Sequence, residues 1–151
     1  MRKTVDSFRY ALEGIWQCLR TQRNFRIHIS AAVGVALIAP YFALSRVEIA
    51  ILVFAVFLVM VTEMFNTSIE FLVDLKTRDR HKFAKYAKDV AAGAVAFAAL
   101  CAIGVGVALF GKIDVLMNMF FDIVASWVKL AIAGLYVALA MFFIFKGGKN
   151  V

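Results

Sequence analysis

The stretch that decides the fold is residues 49–75, which reads IAILVFAVFLVMVTEMFNTSIEFLVDL. Its first half, 49–61, is entirely apolar, and from Glu63 polar residues are interleaved while the apolar pattern continues to Leu75. A helix crosses the hydrocarbon core of a bilayer with about 20 residues. The stretch therefore predicts a membrane-spanning helix that is polar along one side of its second half.

Three further apolar stretches flank this one, at about 27–45, 83–111 and 119–145. The chain has 151 residues and is 64% hydrophobic, which is more apolar surface than a soluble domain of this length can bury. We therefore predict an all-α integral membrane helical bundle. Its core would occupy 1–111, and an additional C-terminal transmembrane helix with a short basic tail would occupy 112–151.

The N-terminal segment 5–25 has a different pattern from the spans. Its apolar residues recur at helical spacing, at Val5, Phe8, Leu12, Ile15 and Leu19. Charged residues fill the rest of the helical wheel, so the segment predicts an amphipathic helix on the membrane surface. The polar start of the chain does not resemble a secretory signal peptide.

The net charge of +7 is concentrated in the N-terminal segment, in 76–88 and at the C-terminus. The other two connectors carry one basic residue each, Arg46 and Lys112. Since cytoplasmic loops are enriched in Lys and Arg, four spans with both termini in the cytoplasm fit this pattern. The basic clusters adjoin spans and suit anionic lipid headgroups, so no nucleic-acid partner is expected.

Four polar residues of the decisive stretch fall on one face of a helix. They are Glu63, Asn66, Glu70 and Asp74. A carboxylate inside a span costs about 2.5 to 3.5 kcal/mol on insertion scales, so this stripe needs a cation or a polar cavity. An ordinary ion pair with Lys76 or Arg78 at headgroup level remains an alternative for Glu70 and Asp74.

The next predicted helix offers the complementary charge. His81, Lys85 and Lys88 share a face, Asp89 follows, and most residues from Ala91 to Ala99 are alanine or glycine. Small residues let membrane helices approach closely, so a tight hairpin would bring Lys88 near the carboxylate stripe. Carboxylates for a hard divalent cation and a lysine for phosphate oxygens suit phosphoryl transfer. His28, in contrast, is expected to anchor at the interface or bond to the backbone.

The motif blocks carry a resemblance to a known family. They read Glu63-x-x-Asn66-Thr67-x-Ile69-Glu70-x-x-x-Asp74, Ala87-Lys88-Asp89-x-Ala91-Ala92-Gly93-Ala94, Phe8-x-Tyr10-Ala11-x-x-Gly14 and Arg23-Asn24-Phe25-Arg26-Ile27-His28. Over roughly residues 5–110 they resemble the prokaryotic diacylglycerol kinase/undecaprenol kinase family of small integral-membrane lipid kinases. The last block is more similar to the undecaprenol-type branch.

The resemblance implies an ATP-dependent phosphorylation of a membrane lipid alcohol, with undecaprenol favoured and diacylglycerol second. It implies that Glu63 is the catalytic base and that Asn66 orients groups at the centre. Glu70 would bind Mg²⁺, and Lys88 would hold the phosphates of ATP.

The same resemblance implies that Tyr10, Asp74 and Asp89 line the nucleotide region. It also implies a homotrimer, with sites shared between neighbouring subunits, in the cytoplasmic (inner) membrane of a bacterium.

Two features depart from the family pattern. A second metal-binding glutamate usually stands three residues before the Phe of the Phe-Arg pair, where this chain has Gln22. An amide oxygen can coordinate a metal but brings no charge, so the predicted metal ligands are Glu70 and Gln22. The span from about Met119 is additional to the family core.

Two other function classes remain open on the sequence. A small four-span transporter would use Glu63 as its coupling carboxylate, because acidic groups in spans often mark ion pathways. A catalytically weak family member would serve as an assembly or regulatory subunit, which Gln22 motivates.

Overall fold

The computed structural model describes residues 2–76 and 81–146. Its helices are α1 (Arg2–Thr21), α2 (Arg23–Ile38), α3 (Arg46–Lys76), α4 (Lys82–Phe110), α5 (Ile113–Val124) and α6 (Trp127–Lys146). A 3₁₀ turn at Ala39–Phe42 extends α2 and contains Pro40. No strand occurs in the two described ranges, so the predicted all-α fold is confirmed.

Four helices within the described residues are long and apolar enough to cross a membrane. They are α2 with its 3₁₀ turn, α3, α4 and α6. Large apolar side chains such as Phe54, Phe97 and Val107 point outward from them and are mostly exposed. A soluble protein rarely leaves so much contiguous apolar surface in water, so a bilayer is the environment that covers it.

The centre of the bundle is the antiparallel pair α3–α4. Small or slender α4 residues, Ala91, Val95 and Ala98, are buried against α3, as close approach of membrane helices requires.

The α2–α3 turn is closed by a reciprocal capping box. In it the Ser45 N–H donates to Glu48 Oε2 at 2.7 Å, and the Glu48 N–H donates to Ser45 Oγ at 3.3 Å.

The basic ends of the spanning helices lie together. Lys88 of α4 contacts Asp74 of α3, and Arg26 of α2 donates to the carbonyl of Ile144 in α6. At the other end the Phe42 and Phe110 rings meet edge to face at 4.9 Å. We call the end with Lys88, Asp74 and Arg26 the basic end of the bundle. The polar half of α3 lies at this end.

The amphipathic surface helix is present but ends earlier than predicted. The helix α1 ends at Thr21, and α2 begins at Arg23, so the break at Gln22 divides the predicted segment 5–25. The buried guanidinium of Arg26 accounts for the break, since it donates to the free carbonyls of Leu19 and Arg20 at the end of α1, at 3.0 and 3.2 Å. Most of the apolar stripe of α1 is exposed, as a membrane-surface helix requires.

The prediction of one fourth span over 119–145 is wrong for the first third of that range, most of which belongs to a separate short helix. The short helix α5 ends at Val124, and the span itself is α6. Ser126 separates them, because its Oγ accepts from the Lys129 N–H at 3.5 Å and so caps the start of α6. The 12 residues of α5 extend only about 18 Å, which is too short to cross a bilayer core.

The additional helix α6 lies against α2. It buries no residue fully, yet it is fixed by polar contacts along its length. Tyr136 Oη donates to the Ser30 carbonyl at 2.6 Å, and Arg23 stacks over the Phe145 ring at 4.5 Å. Near the start of α6, Lys129 pairs with Asp122 of α5. The division of the chain at residue 111 stays a prediction.

Candidate functional site

The polar stripe of α3 contains the most deeply buried carboxylate of the described chain. Glu63 is 1% exposed and Asn66 is 7% exposed, although both are polar and lie in a membrane span. Asn66 Nδ2 donates to Glu70 Oε1 at 3.0 Å, one turn nearer the basic end. The predicted stripe is therefore a row of polar groups along one face of α3, from the basic end to Glu63, in which Asn66 and Glu70 are joined by a hydrogen bond.

Lys88 closes the row at the basic end. Its Nζ donates to Asp74 Oδ1 at 2.5 Å across the α3–α4 pair. The alternative partners of Asp74 were Lys76 and Arg78, and the structure gives Lys88 instead; Arg78 lies outside the described residues. The predicted hairpin thus brings Lys88 to the carboxylate stripe. Both side chains stay partly exposed, so the pair can open to an anionic ligand.

A polar cavity of about 290 Å³ lies beside Glu63. Its lining residues come from α2, α3 and α4 and are Asn24, Ile27, His28, Glu63, Asn66, Ala92, Val95 and Ala96. Glu63 Oε2 and Asn66 Oδ1 are buried acceptors without a hydrogen-bond partner in the described protein. Because buried polar atoms are normally satisfied, these two oxygens indicate a ligand that supplies donors or a cation.

The oxygen atoms at this site are suitable ligands for a hard cation. The free oxygens of Glu63 and Asn66 and the half-buried carboxylate of Glu70 are the ligand type that Mg²⁺ takes in proteins. No group of three or more His, Cys, Asp and Glu side chains that could hold a metal occurs within 2–76 and 81–146. Mg²⁺ commonly uses one or two carboxylates together with substrate phosphates, so this sparse set fits a metal shared with ATP.

Of the eight predicted site residues, Glu63 and Asn66 line this cavity, and Glu70, Asp74 and Lys88 follow toward the basic end. The remaining three have other surroundings. Tyr10 is exposed on α1 and contacts Arg9, and Asp89 pairs with Lys85 at 3.7 Å. Gln22 lies in the break between α1 and α2, without a capping hydrogen bond from its side chain. None of the three lines the polar cavity within one chain.

Sequence reasoning missed the two polar cavity residues on α2, Asn24 and His28. Both lie in the Arg23–His28 block that carried the resemblance, which was the available signal. His28 was expected to anchor at the interface or bond to the backbone. In the structure it is half-buried and lines the cavity, and its imidazole ring makes no hydrogen bond to another described residue.

Cys18 brings α1 against the polar stripe. It is buried beside Thr67, which is 1% exposed and donates to the Glu63 carbonyl at 2.9 Å. Burial raises the pKa of the Cys18 thiol, with a smaller contribution from the charge of Glu63, while a hydrogen bond with Thr67 acts in the opposite direction. A thiol with a raised pKa is unreactive near neutral pH, so Cys18 has a packing role.

Comparisons with known proteins identify related sequences. Residues 9–110 match the family model described as prokaryotic diacylglycerol kinase. A diacylglycerol kinase of Synechocystis is 46% identical over 66% of this chain and 58% of its own length. An undecaprenol kinase of Bacillus subtilis is 40% identical over 73% of this chain and 89% of its own length. No solved structure matches the chain significantly.

Proposed function

Since this chain belongs to the prokaryotic diacylglycerol kinase family, whose related proteins are named as lipid kinases, we propose that it transfers the terminal phosphoryl group of ATP to the hydroxyl of a membrane lipid alcohol. The observation that carries the proposal is Glu63. Its unpartnered Oε2 faces a polar cavity inside a membrane span, on the same row as Asn66 and Glu70.

Glu63 is the group we assign to proton removal. The lipid hydroxyl oxygen attacks the terminal phosphorus of ATP, and its proton passes to Glu63 Oε2. A general base must lie within hydrogen-bond reach of the proton it takes, and Oε2 has no other described partner. Asn66 fixes Glu70 through its amide nitrogen and leaves its own Oδ1 free toward the reacting groups.

The nucleotide belongs at the basic end of the row. We assign the ATP phosphates to Lys88, which a phosphate oxygen would draw from Asp74. Tyr10, Asp74 and Asp89 complete this nucleotide region in the proposal. The exposure of Tyr10 on α1 is compatible with a second subunit supplying it, and hence with a homotrimer whose sites are shared between neighbours.

Mg²⁺ is the metal we assign to this reaction, held by Glu70 and Gln22 beside the phosphates. When bound, it neutralises charge that develops on the transferring phosphoryl group. Glu70 contributes the carboxylate that such a site needs. Gln22 lies in the α1–α2 break, two residues before Asn24 of the polar-cavity lining, and we assign its amide oxygen to the metal from its own chain or from a neighbouring subunit.

The orientation we propose sets the basic end in the cytoplasm of a bacterial inner membrane, with both termini inside. The support is charge, since α3 ends at Lys76 and α4 begins at Lys82, while the opposite connectors carry Arg46 and Lys112. ATP would then reach Lys88 from the cytoplasm. Cysteine-accessibility mapping at residues 82 and 112 tests this orientation.

Undecaprenol is the acceptor we favour, with diacylglycerol second. The related proteins carry both names, and the Bacillus subtilis relative aligns over 89% of its own length. The deciding experiment gives purified protein in bilayer discs labelled ATP, Mg²⁺ and a panel of lipid alcohols. Label in a phosphorylated lipid, lost on chelation of Mg²⁺, is the expected result. If no alcohol is labelled, the proposed function is wrong.

A further inference from the structure

Arg26 is a charged side chain that the fold buries almost completely. It lies in the first turn of the spanning helix α2, and only 2% of its surface is exposed. Removing a guanidinium from water is costly unless its N–H groups, of which it has five, find acceptors. The acceptors of Arg26 therefore show what this buried charge holds in place.

The ends of two different helices supply acceptors to Arg26. Its Nη1 donates to the carbonyls of Leu19 and Arg20 in the last turn of α1. Its Nε and Nη2 donate to the carbonyl of Ile144 in the last turn of α6, at 3.4 and 3.3 Å. The last carbonyls of a helix lack partners within it and carry the negative end of its dipole, so one guanidinium caps and joins both helices.

A second contact fixes the end of α6 at the same place. The Arg23 guanidinium stacks over the Phe145 ring at 4.5 Å. Arg23 and Arg26 are three residues apart on α2, so they are neighbours on one face of the helix. The C-terminal end of α6 therefore rests on the first turn of α2. The family model matches residues 9–110, so the α6 side of both contacts lies outside the matched segment.

The turn that receives α6 also borders the proposed site. Gln22 precedes this turn directly, and the Arg26 backbone N–H donates to the Gln22 carbonyl at 3.4 Å. Asn24, within the turn, lines the polar cavity. The side chain of Arg26 thus holds the chain before Gln22, while its backbone holds the chain after it. A shift of this guanidinium would move the break that carries Gln22.

We propose that Arg26 is a positioning residue through which the additional helix α6 sets the affinity of the site for Mg²⁺ and ATP. With α6 in place, the guanidinium is held from both sides, and the break that carries Gln22 is fixed. With the end of α6 loosened, the guanidinium holds only α1, and the break can shift. This inference rests on the proposed function and on the assignment of Gln22 to the metal.

The lipid half of the site should not depend on α6 in this way. Glu63, the assigned base, lies on α3, which packs chiefly against α4. The residues that line the polar cavity come from α2, α3 and α4. Loosening of α6 should therefore weaken the binding of Mg²⁺ and ATP while the apparent KM for the lipid stays the same. A helix that only added stability would change unfolding and leave both constants as they are.

The test loosens the end of α6 in the full-length chain. Phe145→Ala removes the ring under Arg23, and Phe142→Ala is the matched control, since it removes a ring that stacks with Lys146 of α6 itself. From the usual strength of a cation–π contact, Phe145→Ala should raise the Mg²⁺ concentration for half-maximal activity about two- to fivefold. Phe142→Ala should match wild type. Phe145→Trp keeps an aromatic ring for Arg23 and should also match wild type.

Arg26→Lys tests the positioning residue itself. Lysine keeps the positive charge but places its donors on one small ammonium, which cannot serve two helix ends as the planar guanidinium does. Replacing a residue that orients a metal ligand typically costs about 10- to 100-fold in metal affinity or activity. Arg26→Lys should therefore raise the Mg²⁺ midpoint at least about tenfold and raise the apparent KM for ATP, with the KM for the lipid unchanged. If Arg26→Lys fails to fold, the Phe145 variants still decide the question.

Proteolysis reports on the break without any activity. Trypsin cleaves after Arg20 and Arg23, which flank the break, and cleavage requires the chain to open locally. In bilayer discs without Mg²⁺ or ATP, these two bonds should be cut faster in Phe145→Ala and Arg26→Lys than in wild type or Phe142→Ala. Mass spectrometry of the fragments identifies the bonds that are cut.

The outcomes separate this link from the kinase function. Faster cleavage at the break, a raised Mg²⁺ midpoint and an unchanged KM for the lipid are the expected results. An unchanged Mg²⁺ midpoint in active Phe145→Ala protein overturns the proposal. A lipid KM that rises together with the Mg²⁺ midpoint indicates a general loss of structure and also overturns it. Wild type that phosphorylates no alcohol overturns the proposed function, and faster cleavage in Phe145→Ala then still supports the link between α6 and the break.

Discussion

Tyr136 Oη donates a hydrogen bond of 2.6 Å to the backbone carbonyl of Ser30, and this contact joins the additional helix α6 to α2 near mid-membrane. Gly34, one turn further along α2, makes the contact possible. A Cβ at residue 34 would lie 2.6 Å from the Tyr136 hydroxyl oxygen and 3.3 Å from Cζ. The Tyr136 hydroxyl therefore occupies the space that a side chain at residue 34 would fill.

Gly34→Ala should loosen α6 from α2, because the new methyl group displaces the Tyr136 hydroxyl. Tyr136→Phe should cost about 0.6 kcal/mol, the average of a hydrogen bond between membrane helices. The two changes should not add, since the first already disrupts the bond that the second removes. A double-mutant cycle of unfolding in mixed micelles measures the coupling. Strict additivity would mean that Gly34 and Tyr136 do not interact.

Glu63→Gln should lower turnover by about 10²- to 10⁴-fold, the usual contribution of a general base. The amide keeps the shape of the side chain but cannot take a proton, so ATP binding and assembly should be retained. Asp114→Asn on α5 is the matched control, because it removes a carboxylate far from the polar cavity. Steady-state phosphorylation of the lipid gives the ratio of the turnover of wild type to that of each variant. Near-normal turnover of Glu63→Gln would remove the assignment.

Lys88→Ala should raise the apparent KM for ATP more than that for the lipid. The reason is that Lys88 lies at the basic end of the polar row, where we assign the ATP phosphates. Lys112→Ala, at the opposite end of the bundle, removes the same charge and should change neither constant. A raised lipid constant with an unchanged ATP constant would show that the two halves of the site are reversed.

Asp122 should make the stability of the folded chain depend on pH. It lies at the end of the bundle opposite the basic end. Hydrogen bonds from Lys129 and then Tyr41 hold the pKa of Asp122 below its usual value of 3.8. A depressed pKa in the folded state contributes stability that is present above the unfolded value and lost as pH falls through the folded value.

The stability difference between wild type and Asp122→Asn should therefore be constant from about pH 7 to about pH 5 and shrink below about pH 4. Thermal unfolding in detergent at each pH measures it. The cluster is exposed, so added salt should reduce the difference. A difference that persists unchanged into strong acid would exclude the carboxylate as its source.

The sequence predicts the parts of this molecule that depend on periodicity. The spans and the row of Glu63, Asn66 and Glu70 follow from helical spacing, and α3 contains them as expected. Serine is a common N-cap residue, so Ser126 could have indicated the start of a new helix. The apolar residues on both sides of it indicated one continuous span instead. His28 was not predicted as a site residue because its role depends on where α2 packs against α3 and α4, which spacing along one helix does not contain.

Gln22→Glu should lower the Mg²⁺ concentration needed for half-maximal activity, because it supplies the charge that the resembling family has at this position. In the structure Gln22 lies in the α1–α2 break. A large shift would show that residue 22 reaches the metal beside Glu70, from its own chain or from a neighbouring subunit. Glu70→Gln should abolish activity, because no charged ligand would remain among the two assigned residues.

A Mg²⁺ titration at fixed ATP and lipid compares wild type with both variants. Gln17→Glu, on α1 five residues before Gln22, controls for added charge. If Gln22→Glu leaves the midpoint unchanged while Glu70→Gln is inactive, residue 22 is not a metal ligand, and Glu70 holds the ion with the substrate phosphates alone.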